Sequence, residues 1–135
     1  MRRLIAIGSI VAGGFGPGAV GAAVPVDGST PLLCAVTEVQ ECEPGVRCER
    51  RTAEEVNLTP FLRIDSKAKL IGTGDASGRT APIHELSQVD GRLMMHGRQE
   101  GRSWAAIIQG DTGRLSAGVV DHEGGFLIFG ACTTP

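Results

Sequence analysis

The stretch RLMMHGRQEGRSWAAIIQGDTGRLSAGVVD, residues 92–121, decides the fold. It holds three runs of eight residues separated by Glu100-Gly101 and Gly110-Asp-Thr-Gly113. Runs of this length with glycine-containing turns between them predict antiparallel hairpins. The register can be tested by asking whether it sorts apolar residues onto one face. With Glu100-Gly101 as the turn, Gly97 stands opposite Trp104, Met95 opposite Ala106 and Leu93 opposite Ile108. Carried over the next loop, Ile108 meets Leu115, Ala106 meets Ala117 and Trp104 meets Val119. One face then collects Leu93, Met95, Trp104, Ala106, Ile108, Leu115, Ala117 and Val119. The indole lies across from a glycine, which leaves room for it. The other face mixes Arg98, His96, Ser103 and Ser116 with Met94, Ile107 and Val120.

The pattern extends outward in both directions. His122-Glu-Gly-Gly125 turns the chain into Phe126–Cys132. Upstream, Leu32 to Glu41 reads as a strand and Val46 to Arg51 as its return. Thr52-Ala-Glu-Glu55 has capping-box spacing, so a single helical turn is expected at 53–57. Phe61–Asp65 and Lys69–Gly72 form another hairpin through Ser66-Lys67-Ala68. Asp75–Arg79 is a loop. Thr80 to Gln88 is a further strand, with Pro82 marking an edge or a bulge. The expectation is all-β: a small antiparallel meander barrel, or a two-sheet sandwich, of eight to nine strands.

Residues 1–23 read as a secretory signal peptide. Arg2 and Arg3 precede a short apolar run, Leu4 to Ala12, then Gly13 to Gly18 with Pro17, then small residues Ala19 to Ala23. Cleavage is expected after Ala22 or Ala23, leaving 24–135 as one domain. Of 13 Lys+Arg and 15 Asp+Glu, loss of Arg2 and Arg3 removes two bases and no acid. An acidic mature chain gives no electrostatic case for nucleic acid. No later segment is apolar enough for a membrane-spanning helix.

An exported small domain with an even cysteine count uses its cysteines as disulfides. Cys42 and Cys48 flank the turn-forming Glu43-Pro44-Gly45-Val46-Arg47, at a spacing that sets them across a hairpin. Cys34 and Cys132 remain and would tie the first strand to the last. Zinc is the rival use, but no C-x-x-C pair supports it.

His84 and His96 lie on strands joined by the Val89-Asp90-Gly91 turn. With a three-residue loop they face each other beside Met94, a His/His/Met group suited to a soft metal such as copper. With a two-residue Asp90-Gly91 turn, Glu85 faces His96 instead and the pair is lost. Asp-Gly favours the second. Asp75, Asp90, Asp111 and Asp121 fall at turns, where Asp satisfies backbone amides. Ser66, Ser77, Ser87, Ser103 and Ser116 lack a nucleophile-elbow context. Asn57-Leu58-Thr59 fits the N-glycosylation pattern. Gly72-Thr-Gly74 and Gly124-Gly125 read as turns, not phosphate loops.

Gly101-Arg-Ser-Trp104, Asp111-Thr-Gly-Arg-Leu-Ser116 and Phe129-Gly-Ala-Cys-Thr133, with the cysteine-rich start, resemble a group of small exported bacterial proteins of unassigned function. The architecture is more distantly similar to the membrane-bound C-type lysozyme inhibitor family of disulfide-tied periplasmic β-barrels. Those inhibitors present a Ser-Gly-x-x-Tyr loop, and this chain has no Tyr. The resemblance implies an export route and an architecture, and no site residues. The expected role is a non-enzymatic periplasmic or secreted protein, without a cofactor, that binds an envelope protein or small ligand. Alternatives are a metal-handling protein using His84, His96 and Met94, and a hydrolase with a dispersed site.

Overall fold

A computed structural model of the protein describes residues 16, 26–73 and 78–135. The signal reading at 1–23 lies outside these residues, Gly16 apart, as does most of the 75–79 loop.

Among the described residues ten strands follow in chain order: β1 (Leu32–Cys42), β2 (Glu49–Arg51), β3 (Phe61–Asp65), β4 (Leu70–Thr73), β5 (Thr80–Pro82), β6 (Glu85–Val89), β7 (Arg92–Gln99), β8 (Arg102–Gln109), β9 (Arg114–Val120) and β10 (Gly125–Thr133). One 3-10 turn, Glu54–Val56, sits between β2 and β3. The strands form one antiparallel sheet in the order β5-β4-β3-β1-β10-β9-β8-β7-β6, with β2 added on β1.

The register of β7, β8 and β9 is the one the sequence predicts. Leu93, Met95 and Gly97 pair with Ile108, Ala106 and Trp104. Ile108, Ala106 and Trp104 pair with Leu115, Ala117 and Val119. Both tight turns have two left-handed central residues, Asp90-Gly91 and Glu100-Gly101. That is the I′ geometry whose twist matches the flanking strands. The face they share is the core: Leu93, Met95, Ala106, Ile108 and Leu115 are buried with Leu32, Cys34, Ile64, Ile83 and Cys132.

The sheet curls until its two ends are neighbours in the chain. Residues 80–88, expected as one strand before a turn at Val89, belong to two strands, the second running on to Val89. The first part pairs with β4 and the second with β7. Between them the Ile83 N–H donates to Lys69 O on the β4 side at 2.9 Å. The His84 N–H donates to His96 O on β7, also at 2.9 Å. Pro82 has no N–H to continue a ladder, so the break falls where the partner changes. Ile83 is buried at this seam. A single curled sheet rather than a sandwich is the result.

β1 changes partner along its length. Leu32–Ala35 pair with β3, and Val39–Glu41 pair with β2. Between the two sets, the β1–β10 register slips by one at a bulge between Val36 and Glu38. An extra residue there restores the inward alternation, so both Cys34 and Val39 point into the core. The Thr37 hydroxyl donates to Phe129 O at 3.2 Å.

Local polar devices close the loops. The capping box forms as spaced: Thr52 N–H donates to Glu55 Oε2 at 2.7 Å, and Glu55 N–H donates to Thr52 Oγ1 at 3.3 Å. Asp121 Oδ1 accepts from Glu123 and Gly124 N–H in the β9–β10 turn. The Thr52 N–H holds the Glu55 carboxyl below its usual range. The Glu123 N–H, with Gly124 and Arg102, does the same for Asp121. A carboxyl depressed in the folded state stabilises fully above its unfolded pKa and loses that contribution as pH falls through the folded value. Both turns are therefore expected to loosen only under acid, below the ordinary carboxylate range. Amide exchange at Glu123 and Gly124 should quicken there in wild type. In Asp121→Asn the rates should already be raised at neutral pH, with the acid step absent.

Candidate functional site

Both disulfides pair as the spacing suggests: Cys34 with Cys132 and Cys42 with Cys48. No free cysteine remains among the described residues. Cys34 and Cys132 are directly opposite in the β1–β10 ladder and buried. Cys42–Cys48 closes the β1–β2 hairpin around Gly45, whose positive φ makes the turn. Two disulfides fit an oxidising compartment outside the cytosol. Among the described residues no helix is long and apolar enough to cross a membrane.

The Asp90-Gly91 turn has two residues, so Glu85, not His84, stands opposite His96. His96 Nε2 lies 3.1 Å from Glu85 Oε2, with both side chains largely exposed. His84 Nδ1 accepts from the Arg98 N–H at 3.4 Å. Met94 pairs with Ser87 on one side and Ile107 on the other. Among the described residues no three His, Cys, Asp or Glu side chains come together as a metal set.

The acids serve turns. Asp27 accepts from Ser29 N–H, and that bond holds its carboxyl below the usual range. Asp65 accepts from Lys67 and Ala68 N–H. Asp90 and Asp111 sit in their own turns, on the rim of a groove of about 560 Å³ at one end of the barrel with Asp27 and Arg92. A second groove of about 340 Å³ lies beside the β1 bulge, bordered by Arg50, Arg51 and Glu55. Its charges are compensated: Arg50 bridges Glu38, and Arg51 bridges Glu41 and Glu49. Ser103 and Ser116 lie on the outer face opposite Val120 and Ile107, with no histidine paired to either.

The feature that stands out is apolar and faces outward. Met94 on β7, Ile107 on β8, and Leu127 and Phe129 on β10 are 38–48% exposed, with β9 between the last two and Ile107. The ladder sets Met94 beside Ile107, Ile107 beside Ser116, and Ser116 beside Phe129 in one row. Leu127 stands in the next row opposite Gly118, whose lack of a side chain leaves it proud of the sheet. Glu38, Arg50 and the Glu85–His96 pair form the polar border. The sequence predicts the Met94 and Ile107 part of this surface. Leu127 and Phe129 complete it; the unbroken apolar run Phe126–Phe129 does not by itself say which side chains face outward.

No protein-family model, no curated protein and no solved structure matches this chain.

Proposed function

We propose that the chain is an exported, non-enzymatic binding protein of the cell envelope, periplasmic or secreted, that holds a protein partner on the outer face of its barrel. The observation that carries this is the distribution of apolar surface. The inside is filled by Leu32, Ile64, Leu93, Ile108 and their neighbours, which leaves the interior to packing. The outside keeps Met94, Ile107, Leu127 and Phe129, with Val120, exposed across β7–β10. A rimmed apolar patch of this kind marks a protein contact more often than chance surface does. The two disulfides and the signal-like start support export.

The test is capture from a cell-envelope extract by the immobilised protein and by Ile107→Glu. Ile107 is exposed, so the substitution leaves the fold intact and places a charge in the middle of the patch. Wild type is expected to retain a partner that the variant loses by tenfold or more, on the order expected for a central interface residue. Equal capture by both proteins, or measurable turnover of an envelope substrate by wild type, would refute the proposal.

A further inference from the structure

Among the described residues the curled sheet leaves the outer edge of β6 without a strand partner. At the seam β5 lies against β7, where Gln99 Nε2 donates to Thr80 O at 2.8 Å. The chain then runs on as β6, past the last β4 partner, and pairs on one side only. In a two-residue hairpin closed by Val89 and Arg92, the residues bonded to β7 are Glu85, Ser87 and Val89. The N–H and C=O groups of Leu86 and Gln88 therefore point away from the sheet. Four of the five β6 residues are exposed and Leu86 is half-buried; among the described residues no strand pairs with this edge, and the Gln88 side-chain amide donates to Asp27 O.

Natural sheets blunt such edges with brevity, charge, proline or bulges. β5 has three residues and ends in Pro82, and β2 is three charged residues. β6 is five residues long, Glu85-Leu-Ser-Gln-Val89, with no proline, no lysine or arginine and no register slip within it; His84 and Glu85 share the partner His96 at its start.

We infer that β6 pairs with β6 of a second copy of this chain, antiparallel about a two-fold axis at Ser87, to give one sheet across a dimer. The strand is self-complementary in that arrangement. Leu86 and Gln88 exchange hydrogen bonds with Gln88 and Leu86 of the second copy. The two Ser87 side chains meet at the axis, where small hydroxyl residues pair well. Glu85 falls opposite the second copy's Val89, the neighbour of its Arg92 on the same face. The two Glu85 carboxylates are held at opposite ends of the strand pair, each 3.1 Å from His96 of its own chain and facing, across Val89, an arginine of the second copy. Arg92 Nε donates to Gln109 Oε1 at 3.2 Å, which leaves its terminal nitrogens for that carboxylate. Val89, 47% exposed in the single chain, is covered by the added strand. This dimer does not depend on the partner proposed for the outer face.

Sedimentation equilibrium of the purified chain, at micromolar concentration and low salt, tests the pairing. Wild type is expected at twice the chain mass. Ser87→Lys sets two like charges at the axis without touching a β7 bond, and should give a monomer with an unchanged circular dichroism spectrum. Glu85→Arg and Arg92→Glu should each weaken the dimer about tenfold, since each reverses two symmetric ion pairs. The double charge swap should restore it. Independently, Ser87→Cys should cross-link to a covalent dimer under mild oxidation, seen on a non-reducing gel. A monomeric wild type, a dimer indifferent to Ser87→Lys, or a Ser87→Cys protein that stays single under oxidation would overturn the inference.

Discussion

Replacing Gly97 with valine is expected to lower the stability of the fold by about 3 kcal/mol, at the upper end of what overpacking costs. Gly97 lies where the curled sheet meets itself. A Cβ there would stand 2.7 Å from Trp104 Cζ2 and would press on the Pro82 carbonyl oxygen. Both obstacles are stiff. The indole is wedged beside the core, and the Pro82 carbonyl is backbone at the β5–β6 break. The first added atom already collides, so Gly97→Ala should cost more than the β-propensity gain of losing a glycine returns. The thermal midpoint should fall by about 10 °C or more for the valine, judged by the usual sensitivity of domains this size. Ala105→Val is the control. Ala105 is exposed, one strand away on the outer face, and the change should stay within about 0.5 kcal/mol. Trimming the indole in the Gly97→Val background should recover part of the loss, because residues in contact are not additive. A Gly97→Val protein that melts with wild type would mean that β5 does not close onto β7 as described.

That closure shows how far the sequence can be read. The β7–β9 register follows from two-residue periodicity and from turns whose glycines announce their geometry. Those signals are local, and one wrong step would have moved every side chain to the other face. The glycine opposite Trp104 was visible in the same way. Its second neighbour, the Pro82 carbonyl, was not, because it arrives from the far end of the sheet. The β1 bulge lay equally out of reach. Nothing about Thr37 as a residue type marks an insertion; it follows from β1 having to serve β3, β2 and β10 at once. The pairing of β1 with β10 is non-local, and only the cysteines hinted at it. On the functional side, the two-residue turn that Asp-Gly favours is enough to separate His84 from His96. The outward apolar surface was half legible, because it is assembled from strands whose order is settled only by the Cys34–Cys132 ladder. The open β6 edge was not legible at all: an edge is a property of the finished sheet.

Removing the Cys34–Cys132 bridge is expected to be the most damaging change to the chain. The two cysteines are 98 residues apart, so the bond closes a loop that spans nearly the whole domain. In the chain-entropy model such a loop stabilises by about 4.7 kcal/mol, and a short loop such as Cys42–Cys48 by about half as much. Cys34→Ala with Cys132→Ala also leaves small side chains at two buried positions, which adds a packing loss. The bridge further joins β1 to β10, the pairing with the largest loop-closure cost in the sheet. Urea unfolding should therefore show a lower midpoint for this double variant than for Cys42→Ala with Cys48→Ala. Its slope should be steeper as well, because an uncrosslinked denatured chain exposes more surface. Access orders reduction the same way. Cys48 is exposed and Cys42 half-buried, whereas Cys34 is fully buried. A mild reductant followed by alkylation should label the Cys42–Cys48 pair while the β signal persists. The second pair should label only as that signal is lost. Simultaneous labelling of all four cysteines in a chain that keeps its sheet would show that the long loop is held by packing alone.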